Sequence, residues 1–310
     1  MRIGDLDDGR ALQLLQGAGL ALDCGAARVR VRSRMARLSR LLRTLYGAYP
    51  LQSSDGVFDV TVDLRPAGGL RRFIRPQVEL LLDGERPFEP FPADTPMPLL
   101  EWGVNYAFAT RLSCYLLLHA GVVARGSEAV VLPALPGSGK STLTAALAAR
   151  GYRLLSDEFG VVRLTDSALL PMLRPVALKN ESIDVIARFA PGCTIGARYP
   201  KTRKGTVAHL APDANAVDAR HRPAHPALIV FPRYVADAPI EIQPVERSRA
   251  FSRLAVNSFN HEMLGPDAFD ALTRLVGGCD CYQLRYGNLD EAIDQVTALL
   301  DRHRDPAPLH

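Results

Sequence analysis

What this chain lacks narrows its class before any motif is considered. Its five cysteines, Cys24, Cys114, Cys193, Cys279 and Cys281, are odd in number and scattered. That argues against a disulfide framework and fits a reducing, cytoplasmic compartment. Cys279 and Cys281 stand close together, but no second close Cys or His pair completes a zinc set. The opening stretch Met1-Arg2-Ile3-Gly4-Asp5-Leu6-Asp7-Asp8 holds no apolar region of the signal-peptide kind, so none is expected. The most apolar run, Leu112 to Ala124, is too short to span a bilayer and contains His119, so no membrane partner is expected. Charge of one sign is not in large excess: 37 Lys and Arg face 33 Asp and Glu, a net +4. Nucleic-acid binders usually concentrate basic charge on one face, and a balance this mild argues against that partner class. Internal repeats and long low-complexity segments are also missing.

What remains is an ordinary globular composition, 47% hydrophobic and 23% charged over 310 residues, enough for one large domain or two modest ones. Residues 1 to about 98 read as a small α+β unit. Asp7 to Gln16 has helical character. Arg28-Val29-Arg30-Val31-Arg32 alternates at period two, which is strand grammar. Met35, Leu38, Leu41, Leu42 and Leu45 recur at helical spacing. Val57 to Leu64 and Phe73 to Leu82 read as strands, with Asp83-Gly84 as a turn. Pro87, Pro90, Pro92, Pro96 and Pro98 then break regular structure, which predicts a linker or crossing strap. From residue 99 to 310 a second unit is expected. Leu99 to Leu118 reads as a largely buried helix ending at His119. Strands at Ala120–Arg125, Ala129–Pro133 and Tyr152–Ser156 follow, with a helix from Lys140 to Arg150. Hairpins, further helices and further strands after that predict an α/β domain around a central sheet.

The central motif is Ala134-Leu135-Pro136-Gly137-Ser138-Gly139-Lys140-Ser141-Thr142. It fits a relaxed phosphate-loop pattern, with Ala134 at the usual first glycine. Gly137 and Gly139 permit a tight turn that aims backbone N–H groups at phosphates. Lys140 brings a positive charge to the outer phosphates, Ser141 a hydroxyl for Mg²⁺, and the following helix the positive end of its dipole. The motif follows an apolar strand and opens a helix, as that mechanism requires. ATP and Mg²⁺ are the expected cofactors.

A triphosphate site also needs something to orient the attacking group. Ser156-Asp157-Glu158 follows the strand after the loop's helix, so its carboxylates can lie beside the loop. One would take the acceptor's proton and the other would help hold the metal; a solvated turn is the plainer reading of such residues. A lone histidine such as His119 is more often a satisfied buried side chain than a catalyst. The basic stretch Lys201-Thr202-Arg203-Lys204-Gly205-Thr206 can neutralise phosphate charge or simply face solvent. Lys179-Asn180-Glu181, between a strand and a helix, is equally open. Seven arginines from Arg28 to Arg43, with no acidic residue between Asp23 and Asp55, read as a solvated face, as a dock for an acidic partner such as a peptide leader or, against the mild net charge, as a nucleic-acid contact.

Taken together, these residues resemble the HPr kinase/phosphorylase superfamily, most closely its HPr-kinase-related kinase A branch. The resemblance runs through the chain. It rests on Glu101-Trp102-Gly103-Val104-Asn105, Leu118-His119-Ala120-Gly121 and the phosphate loop. It continues through Gly151 to Glu158, Leu178 to Ile183, Thr202 to His209 and Phe231-Pro232-Arg233-Tyr234. The resemblance implies a kinase domain of the HPr kinase and phosphoenolpyruvate carboxykinase type. It matches His119 to a histidine that precedes the loop and Asp157 to the base for an acceptor serine. Glu158 stands where the family has a second aspartate. Ala177-Leu178-Lys179-Asn180 lacks the glutamate and glycine of the family's second signature, so the reverse, phosphorolytic activity is not carried over. The first unit does not look like that of HPr kinase, so HPr is not the implied acceptor. Related kinases phosphorylate serine in ribosomally made peptides.

The resulting expectation is a kinase that transfers the γ-phosphoryl group of ATP to a hydroxyl, a serine of a peptide or protein. Pro136 to Thr142 bind the nucleotide, Ser141 and Glu158 serve Mg²⁺, and Asp157, His119, Arg203 and Lys204 serve the chemistry. A kinase of a small metabolite and a non-catalytic nucleotide sensor are the rivals; a sensor would need Lys140 but not Asp157. A homo-oligomer stays open.

Overall fold

A computed structural model describes residues 1–69, 74–135 and 137–304 of a mixed α/β protein. After a 3-10 turn at Ile3–Asp5, α1 (Asp8–Gln16) is capped by the Asp7 carboxylate, which accepts from the Arg10 N–H at 2.7 Å. β1 (Leu20–Asp23) and β2 (Arg28–Ser33) pair antiparallel. Period two in β2 buries Val29, Val31 and Ser33 and leaves Arg28, Arg30 and Arg32 on the other face, where Arg28 and Arg30 lie over the Phe58 ring. α2 (Ala36–Leu45) buries Leu38, Leu42 and Leu45 and carries the chain across to β3 (Val60–Pro66), which runs parallel to β2. β4 (Gln77–Leu82) and β5 (Phe91–Pro92) complete a five-stranded sheet in chain order.

Two expectations shift here. The strands foreseen from Val57 and from Phe73 start later, at Val60 and Gln77, and Phe73 lies outside the described residues. The proline-rich stretch is more than a strap, because Phe91–Pro92 adds an edge strand to β4, a place where a missing N–H is tolerated.

α3 (Pro96–Arg111) opens on Pro96, at a position where proline's missing N–H would have had no helical partner anyway. It ends at Arg111, not at Leu118. Tyr115–Arg125 is instead the long strand β6, so His119 sits on a strand and not at a helix end. The run from Leu112 is apolar without a period, and such a run does not separate buried helix from buried strand. Asn260 holds the break. Its Nδ2 donates to the carbonyls of Leu112 (3.2 Å) and Tyr115 (2.8 Å), and its Oδ1 accepts from the Leu117 N–H at 2.9 Å.

The chain then forms β7 (Glu128–Pro133), α4 (Lys140–Ala149), β8 (Arg153–Ser156), β9 (Phe159–Arg163), β10 (Leu169–Leu170), β11 (Val176–Lys179) and α5 (Glu181–Phe189). β12 (Tyr199–Thr202), β13 (Gly205–Leu210), α6 (Ala214–Asp218), β14 (His225–Tyr234) and β15 (Glu241–Pro244) follow. Last come α7 (Arg247–Val256), α8 (His261–Leu264), α9 (Pro266–Gly277), β16 (Asp280–Tyr286) and α10 (Leu289–Arg304). The main sheet runs β10-β9-β6-β7-β14-β16-β15, with β8 also on β6. On one face α4 and α10 bring Leu143, Leu147, Val296 and Leu300 into a core shared with the first sheet. On the other face Leu254, Leu272 and Leu275 of α7 and α9 cover Leu116, Leu118 and Val122 of β6. β11, β13 and β12 form a small antiparallel sheet of their own.

One consequence of this topology positions the site. β7 and β8 both run antiparallel to β6, so their carboxyl ends emerge on the same edge. Pro133 lies opposite Ala120 and Ser156 opposite Val122, with His119 just beyond.

Candidate active site

The described residues that lead into α4 are tightly turned. Gly137 and Gly139 both take left-handed backbone angles, φ 86°. At Gly139 there is no room for a side chain either, since a Cβ would come within 2.6 Å of the Tyr286 hydroxyl and 2.8 Å of the Tyr234 Cβ. Tyr234 ties the loop to β14, its N–H donating to the Ser138 carbonyl at 2.9 Å. The Ser138 hydroxyl is buried with no hydrogen-bond partner among the described residues. Ser141 and Thr142 stand half-buried in the first turn of α4, where backbone N–H groups lack helical acceptors. This donor set fits a phosphate chain. Pro136, expected in the loop, lies outside the described residues.

Lys140 turns from the helix start toward the end of β8. Its ammonium donates to the Asp157 backbone carbonyl and lies 3.0 Å from Asp157 Oδ1, and both side chains are under a tenth exposed. The turn that carries Asp157 is pinned by Ser156, whose hydroxyl accepts from the Phe159 N–H at 3.0 Å. Glu158, next in the chain, faces His119 across the gap, with 3.8 Å between Oε1 and Nε2. Burial pushes the Glu158 carboxyl up, but Lys140, His119, Lys179 and Arg174 outweigh it and hold the group below its ordinary range. His119 is held below the ordinary histidine range, first by burial and then by Lys140, against the pull of Glu158 and Asp157. Its backbone is fixed by Asn257, which accepts from the His119 N–H and donates from Nδ2 to the His119 carbonyl.

Sequence reading foresaw Lys140, Asp157, Glu158 and His119, and the structure brings these four together. Arg203 and Lys204 occupy an exposed turn, and neither side chain has an ion-pair partner among the described residues. That turn is the tip of the β12–β13 hairpin and not an irregular loop. Asn180 holds it, the Asn180 Oδ1 accepting from the Thr206 N–H at 3.0 Å and the Asn180 N–H donating to the Thr206 carbonyl at 2.8 Å. Gly205 is needed beside Asn180, since a Cβ there would meet Oδ1 at 2.3 Å. The same contact sets Lys179 beside the acids. Partial desolvation, Lys204 and Lys140 lower its ammonium, while Glu158 and Asp157 pull the other way. Lys179 was ambiguous in sequence because its place depends on pairing with Val207 of β13.

Among the described residues no three His, Cys, Asp or Glu side chains gather closely enough to hold a metal alone. Mg²⁺ is usually held by one or two protein oxygens together with phosphate oxygens and water, so Ser141 with Glu158 or Asp157 is a sufficient protein share. No described helix is long and apolar enough to cross a membrane.

No protein-family model and no curated protein matches the chain. Among solved structures it is similar to the HPr(Ser) kinase/phosphatase from Coxiella burnetii, at 14% identity over 61% of this chain and 95% of that one, with a TM-score of 0.27.

Proposed function

We propose that this chain is an ATP- and Mg²⁺-dependent kinase that phosphorylates a hydroxyl, that of a serine in a peptide or protein. The observation that supports this most is the Asp157 carboxylate, buried against the phosphate-loop lysine with a second carboxylate beside it. A nucleotide sensor needs the lysine but has no use for a carboxylate at the end of β8.

In this reading the loop amides and Lys140 bind the phosphates. The acceptor oxygen bonds to the γ-phosphorus, the bond from that phosphorus to the ADP oxygen breaks, and Asp157 takes the hydroxyl proton. Mg²⁺ would be held by Ser141 and Glu158 and would neutralise phosphate charge. Lys179, Arg203 and Lys204 would offset charge on the transferred group. His119, 3.8 Å from the Glu158 carboxylate, would help set the position of that group. The exposed Arg34, Arg37 and Arg40 favour an acidic stretch in the acceptor.

The test is transfer of label from γ-labelled ATP·Mg²⁺ to a library of serine-containing peptides, with free serine and glycerol as parallel acceptors. Label on a peptide seryl oxygen, lost in Lys140→Ala, supports the reading. Label on the small alcohols alone would move the assignment to a metabolite kinase. No transfer to any of them would refute it.

A further inference from the structure

A buried group of charges between the first sheet and the acid pair has no part in the chemistry above. Arg174, 7% exposed, lies just before β11. Its Nη1 donates to Glu101 Oε2 at 3.2 Å, its Nη2 donates to Asn105 Oδ1, and its guanidinium sits 5.4 Å from the Phe108 ring centre. Glu101 and Asn105 are one helical turn apart on α3, so they face the same way. The other Glu101 oxygen accepts from the Tyr46 hydroxyl at 2.6 Å. Arg174 Nε and His209 Nδ1 are buried without partners among the described residues. Both residues border a cavity of about 30 Å³ whose other walls include Ser156, Asp157 and Glu158. That is room for a water bridging such groups to the carboxylates.

The backbone makes the same connection. The Met172 N–H donates to the Leu155 carbonyl at 3.0 Å, two residues before Asp157. On the other side Pro171 and Leu173 are held by the first unit. The Ala26 N–H donates to the Pro171 carbonyl, the Leu173 N–H to the Cys24 carbonyl, and the Tyr49 hydroxyl to the Leu173 carbonyl. Residues 171–174 are thus clamped between the first unit and the strand that carries the acids.

A buried ion pair is a poor source of stability, because desolvation offsets most of the attraction and an apolar replacement of equal volume often does as well. What such a pair supplies is a fixed geometry. We infer that Arg174 is a positioning residue for the Asp157–Glu158 turn, and that Tyr46 and Glu101 of the surrounding fold hold it in place. This rests on the phosphoryl-transfer reading, which it deepens by making the first unit part of the catalytic geometry. Arg174 forms one wall of the acids' cavity, and Lys140 holds Asp157 from the phosphate-loop side. Release of Arg174 lets the turn relax without touching the phosphate loop.

The experiment uses the full chain and starts without an acceptor. Phosphate release from ATP·Mg²⁺ gives kcat, equilibrium titration with a fluorescent ATP analogue gives nucleotide affinity, and a melting curve gives the folded fraction. Arg174→Met should lower kcat by about 10–100-fold, the range seen when outer partners of site ligands are removed. Affinity for the analogue should stay within about twofold, since the phosphate loop is untouched. Tyr46→Phe removes one hydrogen bond and should lower kcat several-fold, while Arg174→Lys recovers part of the loss. These two mild variants carry the test if Arg174→Met does not fold. Wild-type kcat per folded molecule in both of them would overturn the positioning role. So would a fall in kcat that only tracks a fall in analogue affinity. A wild-type chain that binds the analogue but neither releases phosphate nor labels any hydroxyl acceptor would sink the phosphoryl-transfer reading, and the positioning role with it; where label reaches an acceptor without phosphate release, the same variants are read by the rate of that transfer.

Discussion

Lys140 and Asp157, 17 residues apart in sequence, form one buried ion pair, with 3.0 Å between Nζ and Oδ1. Each is the other's compensation for leaving water. Removing one partner alone strands a charge, which typically costs about 3–5 kcal/mol. Lys140→Met and Asp157→Asn should therefore each lower unfolding free energy in urea, and the double variant should recover most of the loss. Additive losses would mean that the pair contributes nothing as a pair.

Asp157 and Glu158 are adjacent but differently placed, and their variants should separate. Asp157→Asn should bind ATP·Mg²⁺ and turn over about 10²–10⁴-fold more slowly, the loss expected for a general base. Glu158→Gln should instead weaken the Mg²⁺-dependent part of nucleotide binding. Isothermal titration with and without Mg²⁺, beside turnover, distinguishes the two. Near-normal turnover in Asp157→Asn would remove it from the role of base.

His209 gives a pH signature. Burial, with Arg174 and Lys179 nearby, lowers its pKa from 6.5 to about 4. The unfolded chain therefore binds more protons than the folded one between those values, and stability falls as pH drops through that window. From pH 7 to pH 5 this group alone should remove about 2 kcal/mol of unfolding free energy. His209→Gln should lack that component. Equal pH slopes for the two proteins would show that the imidazole is not held neutral.

Gly121 faces Thr144 of α4 so closely that a Cβ would lie 2.2 Å from Thr144 Oγ1. Gly121→Ala should then cost about 1–3 kcal/mol by overpacking. Thr144→Ala removes the clashing atom along with its bond to the Lys140 carbonyl. The double variant should be more stable than the sum of the singles predicts, as read from thermal midpoints. Strict additivity would place the strain elsewhere.

Local chemistry was the legible part. The glycine spacing, the lysine and the helix start of the phosphate loop obey rules that act over a few residues, and Asp157 was readable as the end of the next strand. The second half of β6 was legible as the strand Ala120–Arg125, but its first half was given to the preceding helix because a continuous apolar run carries no period. The β12–β13 hairpin passed for a loop because β12 is only the four residues Tyr199–Thr202 and its pairing with β13 is irregular. Glu101 and Arg174, 73 residues apart, show only as lone charges in apolar surroundings, and nothing local says that they meet. Glu101 and Asn105 at helical spacing were the one available hint.

Tyr46 and Tyr49, with ring centres 5.1 Å apart, reach across to Glu101 and to the Leu173 carbonyl. A fragment begun at Leu99 would surrender both donors and bare Val104 and Phe108, which share one apolar cluster with Leu38, Val62 and Leu80. In a calorimeter the whole chain should absorb heat in a single cooperative step. A graft of residues 99–310 onto a foreign module would therefore inherit a candidate site with an open floor, and any exchange of the first unit has to carry the two tyrosines along.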